Sequence, residues 1–154
     1  MILVPYFQAI TAAINTGDTF SFYYGERCWQ NLAADDITFP VVFVDFIPKV
    51  DYILNIGGHL SESYPVTIYF GYKSKLDWTT IQHEVEIFKA NLACRNFISQ
   101  LQNYKDANGN KILDSIEFVS ADRVILRPSE DTGTSGILLR LKVKPALNLS
   151  ICIS

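Results

Sequence analysis

Three groups of residues in this chain have types and spacings that could do chemistry. The first is Asp106 to Glu117, DANGNKILDSIE, in which Asp106, Asn108, Asn110, Asp114 and Glu117 occupy the oxygen-bearing positions of an EF-hand calcium loop. Position six of such a loop turns with a positive φ and takes Gly, whereas here it is Lys111, which also sets a cation beside the metal. An EF-hand leaves its loop through a helix, and the sequence that follows, ILDSIEFVSADRVILRP, has the β-branched and apolar content of a strand. Asn108-Gly109-Asn110 therefore reads as the turn that ends a helix, and no metal is assigned.

The second group is nucleophilic or basic. His83 and Glu84 begin an HExxH zinc-protease pattern, but Ile87 stands where the second histidine would be, so the ligand pair is missing. His59 sits in a Gly-rich stretch without an assignable partner, and both histidines read as ordinary surface or loop residues. Cys28, in GERCWQN, is adjacent to Arg27, an arrangement that can activate a thiol. Its apolar neighbourhood reads instead as that of a small hydrophobe, as do those of Cys94 and Cys152. The chain contains no GxSxG elbow and no GxxxxGK[ST] phosphate loop. No acid, base and nucleophile set converges, so no catalytic residue and no cofactor is assigned.

The third group is Arg140, Lys142 and Lys144, which alternate with Leu139, Leu141 and Val143 and so place three cations on one face of a strand. Such a face can meet phosphates or a subunit. Without interleaved exposed aromatic residues, and with a sequence pI near 5.3, it does not mark a dedicated nucleic-acid binder.

These residues have to be positioned by a fold, and length and composition bound it. The 154 residues are 49% hydrophobic and 13% aromatic, which suits a single domain, 1–154, with a strand-rich core. No apolar run is long enough to cross a bilayer, so no membrane partner is expected. The apolar opening MILVPYF lacks the basic residues of a secretory signal. Three cysteines without a CxxC pair fit a reducing compartment better than a disulfide framework. Charge is unevenly distributed, with two basic and seven acidic residues up to Tyr72 against eleven and nine from Lys73 onward. Such a split can bring copies of one chain together head to tail.

Periodicity supplies the elements. Leu3, Phe7, Ile10 and Ile14 share one face of a first helix, with Pro5 in its first turn and Gly17 placed to end it. TFSFYYG alternates as a half-buried strand, and PVVFVDFI is apolar enough to be covered on both faces. DYILNIGG and YPVTIYFGYK follow as strands joined by a loop from Gly57 to Ser63. A long helix from about Trp78 to Tyr104 carries Ile81, Val85, Phe88 and Leu92 on one stripe, continued by Cys94, Phe97, Leu101 and Tyr104, with Asp77 or Thr79 as its N-cap. Strands are expected at Ile112 to Val119, Arg123 to Arg127, Gly136 to Lys144 and Leu147 to Ile153. Strands that succeed one another without helices call for antiparallel pairing. The fold class is therefore α+β, a mostly antiparallel sheet packed against one long and one short helix.

This succession of FYYGERCWQNL, PVVFVDF, VTIYFGYKSKLDW, the helix ending in CRNFISQL and the late GILLRLKVKPALNLSIC resembles the tail-terminator and tail-completion proteins of tailed bacteriophages. The resemblance implies a non-enzymatic virion component, assembled in the bacterial host cytoplasm, that forms a ring of six or twelve copies in the neck or at the head-proximal end of the tail. It implies neighbouring portal, neck or tail-tube proteins as partners, with Arg140, Lys142 and Lys144 facing a neighbour or DNA in the lumen. The loops Gly25 to Thr38 and Pro128 to Ser135 are the expected docking segments. The alternative is a monomeric ligand-binding or regulatory α+β domain with a pocket on the aromatic-rich sheet.

Overall fold

A computed structural model of the chain describes residues 3–25, 37–54, 56–58, 60–75, 78–126 and 133–146. The element order is α1 (Val4–Ala12), β1 (Ser21–Gly25), β2 (Val41–Asp45), β3 (Asp51–Leu54), β4 (Leu60–Ser74), α2 (Thr80–Asn103), β5 (Leu113–Leu126) and β6 (Gly133–Pro145). The sheet runs β1-β2-β4-β6-β5, with β3 paired to the first residues of β4 off this path. The class is α+β, as the periodicity implies.

One pairing departs from expectation. β1 and β2 run parallel, from Ser21 opposite Val41 to Gly25 opposite Asp45, while the other pairs are antiparallel. Residues 26–40 between them supply the dozen or more residues that a parallel return needs, so chain length there overrides the rule that successive strands form hairpins. β5 is a second departure. It is one 14-residue strand, and the Ser120 region read as a break is a register shift between Phe118 and Ser120 within continuous pairing to β6. The loop expected at Gly57 to Ser63 is also shorter, because β4 begins at Leu60.

Both helices lie on one face of the sheet. Phe7 and Ile10 of α1 and Ile87, Ala90, Cys94, Phe97 and Leu101 of α2 pack on Val42, Val44, Ile68, Phe70, Leu139, Leu141 and Val143. Phe97 stands at the junction, with its ring centroid 5.4 Å from that of Phe70 and 6.2 Å from that of Phe7. On the opposite face Val41, Phe43, Tyr69 and Leu138 form a second buried cluster, with Ile37 and Phe39 packed against it. The continuous VVFV run is thus buried on both sides, as its composition required. α2 starts with a capping box in which the Thr79 backbone N–H donates to Gln82 Oε1 at 2.8 Å and Thr79 Oγ1 accepts from the Gln82 N–H.

Several ionisable groups of this core, Cys94, Tyr64, Tyr69 and Tyr72 among them, make its stability sensitive to alkali. Burial pushes the Cys94 thiol from its ordinary value near 9 up to about 12, and burial likewise raises the phenols of Tyr69 and Tyr72. Each group stays protonated in the folded chain at a pH where the unfolded chain would release its proton. That contribution is complete below the unfolded-state values and is lost as pH rises through the interval up to the folded-state values. Urea midpoints are expected to hold steady to about pH 8, fall from about pH 9 as the unfolded thiol ionises, and fall faster above about pH 10 when the tyrosines join. Cys94→Ala should remove the first part of the fall and leave the second. A midpoint unchanged between about pH 8 and 10.5 would contradict the burial of these groups.

Candidate assembly surfaces

Each group that could do chemistry now has a place. At Asp106, the side-chain Oδ1 accepts from the N–H groups of Asn108 and Asn110, both at 2.9 Å, and Gly109 has φ 80°. The backbone closes the same turn, with the Asp106 N–H donating to the Asn110 carbonyl at 2.8 Å. These oxygens satisfy the chain's own amides, and the element that leaves the loop is strand β5. Among the described residues no group of three or more His, Cys, Asp or Glu side chains is arranged to hold a metal ion.

His83 corrects an expectation. It is not a surface residue but is 5% exposed, on the inward face of α2, with Nδ1 2.7 Å from Ser135 Oγ and its ring 5.7 Å from that of Trp78. Its spacing from Ile87, Ala90, Cys94 and Phe97 puts it on the buried stripe, the signal that could have placed it. A histidine hydrogen-bonded to a serine has two parts of a nucleophilic site, but Ser135 is 0% exposed and its hydroxyl has no path to a substrate. The pair satisfies two buried polar groups where α2 crosses β6. Cys94 is buried and packed as a hydrophobe. Cys28, Cys152, His59, Asp77 and the strand expected at Leu147 to Ile153 lie outside the described residues, as do most of both loops expected to dock.

Arg140, Lys142 and Lys144 do share one face of β6, turned away from the helices, since Leu139, Leu141 and Val143 enter the helix-side core. The neighbouring β5 answers them with carboxylates. Arg140 Nη1 lies 2.8 Å from Asp122 Oδ2, Lys144 Nζ lies 3.6 Å from Asp114 Oδ2, and Glu117 stands opposite Lys142 in register. The cationic stripe is therefore part of a mixed-charge ladder, which weakens its field toward a phosphate backbone.

The surfaces that sequence reading missed are apolar. Ile81, Val85, Phe88 and Leu92, expected to begin the inward stripe of α2, are exposed, Ile81 by 77% and Phe88 by 63%. At about 100° per residue their spacing of four, three and four places them nearly diametrically opposite Ala90, Cys94 and Phe97, so α2 has two apolar faces and only one enters the core. Beside the outer face, Glu84 and Arg123 form an ion pair across a groove of about 370 Å³ between α2 and β5, lined by Phe88, Asn91 and Ala121. Arg123 draws the Glu84 carboxyl below its ordinary value, chiefly through their hydrogen bond. Phe118 and Ile125 of β5 are also large and exposed.

A second apolar surface is the β3–β4 hairpin. Residues 60–63 of β4 pair with β3, while β6 takes up pairing only from Tyr64, so the hairpin extends past the five-strand body. Tyr52 opposes Glu62 and Leu54 opposes Leu60, which puts Tyr52, Leu54 and Leu60 on one side of the hairpin, with Ile56 at its tip fully exposed. β5 forms one edge of the sheet and β1 the other among the described strands. Among the described residues no helix is long and apolar enough to cross a membrane. Compared with known proteins, the chain matches no family model and has no similar protein among those with curated functions.

Proposed function

We propose that this chain is a structural, non-enzymatic virion protein that associates with copies of itself into a ring in the neck or at the head-proximal end of a bacteriophage tail. The observation that carries the reading is the presence of two large apolar surfaces at different places on one chain, the outer face of α2 and the β3–β4 hairpin. A contact between unlike surfaces of identical subunits repeats from copy to copy, and it closes into a ring where the rotation per step divides a full turn. Apolar patches of a few hundred Å² often mark sites of protein–protein contact, and this chain carries two of them. The resemblance in element order to tail-terminator and tail-completion proteins supplies the virion setting and the expectation of six or twelve copies.

The mixed-charge ladder of Arg140, Lys142 and Lys144 with Asp114, Glu117 and Asp122 fits this reading as a subunit-facing surface better than as one facing DNA. A monomeric ligand-binding domain would instead call for an enclosed apolar pocket with convergent polar groups. The hollow lined by Leu3, Tyr24, Ile47, Val50 and Tyr64 is apolar but open. Light scattering with negative-stain imaging tests the proposal. Closed annular particles are the expected result, and a monodisperse monomer at high concentration would refute it.

A further inference from the structure

We propose that the β3–β4 hairpin of one copy docks across the outer face of α2 and the adjoining rim of β5 on the next copy. This inference rests on the self-association argued above and assigns the two surfaces that meet.

The two surfaces cannot meet within one chain. β4 carries the hairpin at its first residues and leads toward α2 from its last, and at about 3.3 Å per residue its 15 residues hold these ends some 45 Å apart. Their sizes match. Scaling ordinary side-chain areas by the observed exposures gives about 500 Å² of apolar side chain for Tyr52, Leu54, Ile56 and Leu60, and about as much for Ile81, Val85, Phe88, Leu92 and Phe118. Complete mutual burial would remove up to about 1,000 Å² of these side chains from water, which reaches the lower bound for a specific protein contact. Shape and charge agree as well. A two-stranded arm fits along the hollow between a helix and a sheet edge better than against a flat face. The arm bears Glu62 and an Asp51 paired with Lys49, while Lys89, Arg95 and Arg123 outnumber Glu84 and Glu86 around α2.

A contact between unlike surfaces has a signature that a symmetric one lacks. Two variants are needed, Leu54→Asp/Ile56→Asp on the arm and Val85→Asp/Phe88→Asp on the helix, each compared with the unaltered chain by sedimentation and native mass spectrometry. Each variant alone is expected to remain a monomer of about 17.4 kDa with an unchanged circular dichroism spectrum, its assembly weakened at least a hundredfold. Mixed in equal amounts they should form a one-to-one dimer and nothing larger, because one intact arm meets one intact helix face. If the unaltered chain assembles and either variant still assembles like it, the assigned contact is wrong while self-association stands. If both variants are monomeric and their mixture is too, the surfaces do not join arm to helix, and the proposal is again overturned. An unaltered chain that is itself monomeric removes both readings. Should a double variant lose its fold, Ile56→Asp and Phe88→Ser carry the same test at single exposed positions.

Discussion

Replacing Phe97 with alanine is expected to cost about 3–5 kcal/mol of folding stability, measured by urea denaturation at a concentration where the chain is monomeric. The ring is fully buried and touches both other parts of the helix-side core, Phe7 of α1 and Phe70 of β4. Truncation there removes the transfer free energy of a whole aromatic side chain. It also opens a cavity that three rigid elements cannot collapse to fill. The control lies on the same helix. Phe88→Ala changes the same residue type on the outer face and should alter monomer stability by less than about 0.5 kcal/mol. Equal losses at the two positions would mean that the assignment of inner and outer faces is wrong.

Gly136→Ala is expected to be comparably severe for the opposite reason. Gly136 of β6 stands directly across from Gly71 of β4, and a Cβ at Gly136 would overlap the backbone carbonyl of Phe70. A backbone group at the centre of a sheet cannot swing aside as a flexible side chain would. Gly71 is occupied in a different way, since the ring of Tyr69 lies over it where a Cβ would be. The Tyr69 hydroxyl is held 2.8 Å from Thr134 Oγ1, so that ring has little freedom to yield. Overpacking of a core costs about 1–3 kcal/mol when side chains can adjust, and a clash with backbone should exceed the top of that range. A loss below about 1 kcal/mol would show that the two central strands separate more readily than this packing implies.

The elements were legible in the sequence because most of them obey a single period. Burial of the VVFV run on both faces followed from its lack of alternation, and Thr79 was one of the two N-caps, with Asp77, that the start of the apolar stripe suggested. α2 was misread because it carries two stripes. Ile81 to Leu92 and Ile87 to Leu101 both have helical spacing, and periodicity shows that a face is apolar without showing what covers it. The inward position went instead to His83, whose polarity is offset by Ser135, a partner 52 residues away that local pattern cannot reveal. The parallel β1–β2 pair was hidden for a related reason, since pairing direction depends on the path of the connecting chain. Arg140, Lys142 and Lys144 were placed on one face by alternation alone, but the carboxylates that balance them come from a neighbouring strand whose register had to be seen. At the candidate surfaces, then, one-dimensional reading found the charges and missed the exposed apolar side chains.

The self-association of this chain is tested most directly by native mass spectrometry of the 154 residues across a wide range of concentration. A closed head-to-tail ring predicts one dominant species at a fixed multiple of 17.4 kDa, six or twelve copies by the resemblance, with few intermediates because each open end lacks a contact. A spectrum that contains only the single chain at every concentration would contradict the account.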